Sequence, residues 1–160
     1  MSRSYEIPMP AVSITAVQDL WDIVPATNLP IKILGIILSQ ITRHGDAQEE
    51  MLGWSIHRGL ATVGSGGTSA TIARVDQSDA AASLTARLND TTQAVVGGGS
   101  DVVLWRDQFN VRQGIYILKP PKMQWVCGAG ETRLVISLDT APSVSMSFRG
   151  TVTVQEGLDT

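Results

Sequence analysis

The residues from Val144 to Gln155 alternate strictly between two kinds of side chain. Val144, Met146, Phe148, Gly150, Val152 and Val154 take one set of positions, and Ser145, Ser147, Arg149, Thr151, Thr153 and Gln155 take the other. A period of two sends successive side chains to opposite faces of a pleated strand, so this segment reads as a strand with one dry face and one wet face. The pattern returns at Leu52, Trp54, Ile56 and Leu60, with Met51, Ser55 and His57 opposite. It returns again at Leu134, Ile136 and Leu138, with Arg133 and Ser137 opposite. A helical stripe would need apolar residues at spacings of three and four, which these segments lack.

Turn chemistry separates the strands: Gly64-Ser65-Gly66-Gly67, Gly97-Gly98-Gly99-Ser100, Lys119-Pro120-Pro121-Lys122 and Gly128-Ala129-Gly130. About eight or nine strands with this punctuation predict an all-β chain, a two-sheet antiparallel sandwich forming one domain over residues 1–160. No alternation of strands with helices supports a Rossmann-like sheet. From Asp79 to Asn89 two patterns compete. Asp79 could cap a helix through Ala80–Ala82 with Leu84 and Leu88 four apart, whereas Leu84, Ala86 and Leu88 also fit a strand with Thr85, Arg87 and Asn89 outward; the strand is preferred.

One strand departs from the wet-and-dry rule. Between Ile31 and Ile41, Ile31, Ile33, Ile37 and Ile41 fall on one face and Leu34, Ile36 and Leu38 on the other. A two-layer sandwich dries only one face, so Leu34, Ile36 and Leu38 are expected to be covered by a loop, a terminal arm or another subunit. Tyr5 to Ile14, interrupted by Pro8 and Pro10, reads as an edge strand or an arm laid over a neighbour, with Tyr5 and Ile7 as candidate contacts. Trp125, just after Pro120-Pro121, is expected to be partly exposed and completes the candidate interface. Trp54, in register with Leu52 and Ile56, is expected in the core.

Composition narrows the function. Hydrophobic residues make up 43% of the 160 residues and charged ones 17%, below the roughly 25% typical of soluble domains, which fits a surface partly covered by partners. The net charge is −3 and the 12 Lys and Arg are scattered, so a nucleic-acid groove is not expected. Cys127 is a single cysteine and forms no intrachain disulfide, which favours cytosolic synthesis. Met1 to Pro10 lacks the pattern of a signal peptide, and the apolar run Ile31 to Leu38 is far shorter than the roughly 20 residues that span a bilayer. A membrane partner is therefore not expected.

No chemistry-bearing motif stands out. His44, His57 and Cys127 lack metal-ligand spacing, so neither a metal nor another cofactor is expected. His57 on a strand's polar face and His44 in a turn with Gly45 and Asp46 have no nucleophile signature around them, and no catalytic residue is assigned. The Gly-rich loops lack the Lys and following helix of a phosphate-binding loop and read as flexible turns. Glu49 and Glu50 point to opposite faces, and Asp76 and Asp79 read as turn and cap residues.

The middle and C-terminal parts carry Arg58, Ser65-Gly66-Gly67-Thr68, Asp79 with Ala81-Ala82, Thr85, Arg87, Asn89 with Thr91-Thr92, Phe109-Asn110-Val111, Pro120-Pro121, Leu134-Val135 and Gly150-Thr151. In these residues the chain resembles small virion structural proteins of tailed bacteriophages, of the kind that decorate or cement the capsid exterior. The resemblance runs from Ile31 to Glu156 and leaves residues 1–30 outside it. It implies a jelly-roll-like sandwich, made in the host bacterial cytoplasm as a small oligomer, commonly a homotrimer, that docks on the major capsid protein without enzymatic activity. The competing reading is a receptor- or carbohydrate-binding module of a phage tail or fibre, with Trp125 and the Gly-rich loops as its contact surface.

Overall fold

A computed structural model describes residues 2–42 and 50–157. His44, Gly45, Asp46 and Glu49 lie outside the described residues. The chain is all-β, and among the described residues twelve strands and no helix are present. They are β1 (Arg3–Ile14), β2 (Gln18–Val24), β3 (Ile31–Gln40), β4 (Met51–Arg58), β5 (Thr68–Ser69), β6 (Ala73–Arg74), β7 (Thr85–Asp90), β8 (Val102–Asn110), β9 (Ile115–Leu118), β10 (Trp125–Cys127), β11 (Leu134–Leu138) and β12 (Met146–Glu156). The count exceeds the expected eight or nine because β5, β6, β9 and β10 are only two to four residues long, too short for alternation to reveal.

The strands form two antiparallel sheets. The first runs β10-β3-β12-β1-β6, with β9 also pairing β3, and the second runs β5-β7-β2-β11-β4-β8. Tyr5, Ile7, Phe148, Val152 and Val154 from the first sheet meet Trp21, Ile23, Leu52, Trp54, Ile56, Leu134 and Ile136 from the second in one buried core. Met146, Phe148, Val152 and Val154 point inward as their alternation predicts, whereas Val144 lies before the strand and is exposed. The ambiguous segment after Asp79 is strand β7, with Ala86 and Leu88 buried.

The N-terminal segment is no arm. β1 pairs β12 from Arg3–Glu156 to Ile14–Met146, and only Tyr5 and Glu6 have a neighbour, β6, on the other side. Beyond Glu6 that side is open, and the pairing shifts between Met9 and Val12. Pro8 and Pro10 therefore sit where a missing N–H costs no ladder bond.

β3 also departs from expectation. Its register against β12 shifts between Ile33–Val154 and Gly35–Thr153, leaving Leu34 as the extra residue of a β-bulge. One inserted residue inverts the phase of everything after it. Ile31, Ile33, Ile36 and Leu38 consequently share the core face, Leu34 is half-buried, and Ile37 turns outward at 42% exposure. The strand has one dry face, and the need for an external cover over Ile36 and Leu38 disappears.

The long edge strand β8 carries features that oppose pairing with a neighbour. It bulges at Leu104, between the pairs Ile56–Trp105 and His57–Val103, and carries Arg106, Asp107 and Gln108 exposed in its middle. Charges and a bulge are the usual means of blunting a sheet edge.

Candidate functional site

The outer face of the second sheet was expected to be wet, yet its polar residues are buried. Register places Asp90, Asp19, Ser137, Ser55 and Arg106 in one row across β7, β2, β11, β4 and β8. Asp22, Val135 and His57 lie in the next row. Asp19 and Asp22 share this face despite their spacing of three because β2 bulges at Leu20. Asp19, Asp22, Ser55, Asp90 and Ser137 are all at most 4% exposed.

The cover comes from the two Gly-rich segments. Residues 59–67 and 91–100 bridge each other at Thr62–Val95 and Ser65–Thr92 and lie across the sheet as a two-stranded strap. Leu60 and Ala94 from the strap pack on Val135, forming a small apolar cluster separate from the main core. Gly59, Gly66 and Gly97 have positive φ at the ends of the strap, and a Cβ on Gly97 would collide with Thr62.

Carboxylates and an arginine bind the strap to the sheet. Asp19 accepts the Ala94 N–H at 2.6 Å and the Ser137 hydroxyl at 2.7 Å, and Asp90 accepts the Gly67 N–H at 3.0 Å while pairing with Arg87. Arg133 donates to the carbonyls of Leu60 and Ala61 and forms an ion pair with Asp22. Burial pushes the Asp19 carboxyl above its ordinary range, opposed by the Ala94 and Ser137 hydrogen bonds. Burial likewise pushes Asp22 up, opposed by the Arg133 guanidinium.

Beside these groups lies a Ser–His–Asp series. Ser55 Oγ is 2.7 Å from His57 Nε2, and His57 Nδ1 is 2.6 Å from Asp101 Oδ1. Those are the contacts of a nucleophile, a base and an orienting acid. Two features work against acyl transfer. Ser55 is 0% exposed, and its hydroxyl also donates to Asp139 Oδ1 at 2.7 Å. A carboxylate so close opposes the negative charge that develops around an attacking serine oxygen. The series instead ties β4 to the start of β8 and to the residue following β11. Next to it opens a cavity of about 310 Å³, lined by His57, Asp101, Arg106, Asp139 and Asp19 among others.

Asp19, Asp101, Arg106 and Asp139 were not singled out in the sequence. Two aspartates inside the otherwise apolar residues 19–24 were the available signal for β2. Asp101 and Asp139 reach the site from positions 44 and 84 residues away from their partners, which no local pattern reports.

The candidate interface residues do not come together on a surface. Tyr5, Ile7, Ile36 and Leu38 are buried in the chain's own core, and Tyr5 donates its hydroxyl to the Ala80 carbonyl. Trp125, expected to be partly exposed, is 7% exposed. It packs edge-on against Trp105, with the Lys119 ammonium 4.2 Å and 4.3 Å from the two ring centres, so it offers no open stacking platform. Exposed apolar side chains occur elsewhere. On the outer face of the first sheet, Ile37 pairs directly with Tyr116, and Leu118 lies over Gly35. Tyr116 is 71% and Leu118 63% exposed, making with Ile37 one contiguous patch.

Among the described residues, no group of three or more His, Cys, Asp or Glu side chains converges to hold a metal ion, and no helix is long and apolar enough to cross a membrane. Asp76 accepts from the Ser78 N–H and hydroxyl, the geometry of a turn. No family model, curated protein or solved structure matches the chain.

Proposed function

We propose that this chain is a non-enzymatic virion structural protein of a tailed bacteriophage, a decoration or cement protein that binds the major capsid protein and stabilises the assembled head. The observation that carries the reading is the Ile37–Tyr116–Leu118 patch. Three large apolar side chains held outward on a paired sheet face are what a partner's surface would cover. The resemblance from Ile31 to Glu156 supports the choice of partner, and a homotrimer on the capsid exterior, made in the host cytoplasm, is the assembly it implies.

We also read the sandwich as a jelly roll. Strand neighbours β1-β12-β3-β9 and β2-β11-β4-β8 follow the alternation between sheets that two nested Greek keys produce, with β5 to β7 as an insertion and β10 as an added edge.

A protein that prefers the assembled lattice stabilises it by mass action. Purified protein added to heads lacking it should raise their melting temperature, and Tyr116→Ser combined with Leu118→Ser should abolish both binding and the shift. Heads that neither bind the protein nor melt later would sink the proposal.

A further inference from the structure

We infer that the two-stranded strap, residues 59–67 with 91–100, lifts from the second sheet as a unit of its own and is the movable wall of the cavity that His57, Asp101, Arg106 and Asp139 line with Leu60 and Ala94. Three observations carry this. Its apolar anchorage is the small cluster of Leu60, Ala94 and Val135, cut off from the main core, so releasing it leaves the sandwich's packing intact. Its remaining attachments are polar: Asp19 to the Ala94 N–H, Arg133 to the Leu60 and Ala61 carbonyls, the Gly59 N–H to the Arg133 carbonyl, and Asp90 to the Gly67 N–H. Water can replace each of these contacts once the strap rises. Finally, its ends carry the glycines with positive φ, Gly59, Gly66, Gly97 and Gly98, where the backbone rearranges at little steric cost.

The strap is joined to the sheet through four chain connections, at 58–59, 67–68, 90–91 and 100–101, so it rises as a bridge and does not swing as a flap. Lifting it uncovers Asp19 and Ser137 and opens the buried polar row to a small polar molecule. His57 and Asp101 stand at one foot of this bridge, where their 2.6 Å contact fastens the segment that leads into β8.

Native-state hydrogen exchange on the full chain tests the inference. The strap amides of Ala94 and Gly67 bond to the Asp19 and Asp90 carboxylates of the sheet and lose those acceptors when the strap rises, whereas the amides of β11 and β4 bond within the sheet. In the unmodified protein the strap amides should exchange through an opening that leaves the sheet amides protected. Leu60→Ala should speed their exchange by about 30-fold or more, the lower end for truncating a buried leucine, and leave the β11 amides unchanged. Asp101→Ala, at a partly exposed position, should speed the same amides without altering the global melting curve. Strap and sheet amides that exchange together in the unmodified protein, or a Leu60→Ala effect spread equally over both, would overturn the inference.

Discussion

The bulge at Leu34 makes neighbouring residues of β3 differ sharply in what they contribute. Leu38 is 1% exposed in the core, whereas Ile37, one residue away, is 42% exposed on the outer face. Truncating a buried leucine removes its transfer energy and leaves a cavity, so Leu38→Ala should cost about 2–5 kcal/mol. Ile37→Ala should stay within about 0.5 kcal/mol. For a chain of this size each kcal/mol moves the melting temperature by about 2–4 °C, so Leu38→Ala should fall by at least about 4 °C while Ile37→Ala barely moves. Calorimetry with parallel urea unfolding measures both. Aspartate substitutions widen the contrast: Leu38→Asp buries an unpaired charge and should not fold, whereas Ile37→Asp should fold and lose partner binding. Ile36 and Leu38 thus report on folding, and Ile37 on the proposed association. Equal losses at positions 37 and 38, or a larger loss at 37, would refute the bulge and the phase inversion built on it.

Three further outcomes follow from buried polar groups. Because burial raises the Asp19 carboxyl, its contribution is present when it is protonated and is lost as pH rises through its elevated value. Asp19→Asn, whose oxygen can accept the Ala94 N–H while its amide group donates to a Ser137 hydroxyl turned to accept, should therefore gain relative to the unmodified protein as pH rises above about 4, as denaturant titrations toward neutral pH would show. Cys127 is fully buried and its thiol is pushed up to about 11, first by burial and then by Glu131; it should resist a thiol reagent at pH 8 until the chain unfolds, and rapid labelling of folded protein would contradict its placement. Its stabilising share should disappear as pH climbs from about 9 toward about 11. Glu156, 2% exposed, accepts the Ser83 and Leu84 N–H groups, so Glu156→Ala should cost about 2–3 kcal/mol in equilibrium unfolding, while a loss below about 0.5 kcal/mol would show those bonds to be dispensable.

The regular parts of the sandwich were legible because their period is unbroken. Met146 to Val154, Leu52 to Ile56 and Leu134 to Leu138 declare their inner faces directly. Bulges defeat that reading. A single extra residue at Leu34 made β3 look apolar on both sides, and another at Leu20 hid that Asp19 and Asp22 share a face. The buried polar row was illegible for a different reason. Serine on a strand's outer face normally means solvent, and only the long-range bridges Thr62–Val95 and Ser65–Thr92 reveal that a strap lies above. Trp125 was misplaced because its neighbours in space, Trp105 and Lys119, belong to other strands and turns.

The polar row also acts as a gauge of strand alignment during folding. Apolar faces alone tolerate a slip of two residues, since valine, isoleucine and leucine replace one another with modest loss. Moving β11 by two positions along β2 would strip the buried Asp19 carboxylate of the Ser137 hydroxyl, and moving it along β4 would separate the buried Ser55 hydroxyl from Asp139. A buried polar group deprived of its partner costs about 1–3 kcal/mol, more when it is charged. The aspartate that weakens the native state at neutral pH thereby penalises its misaligned competitors more, and the sheet has one alignment in which Asp19 keeps the Ser137 hydroxyl.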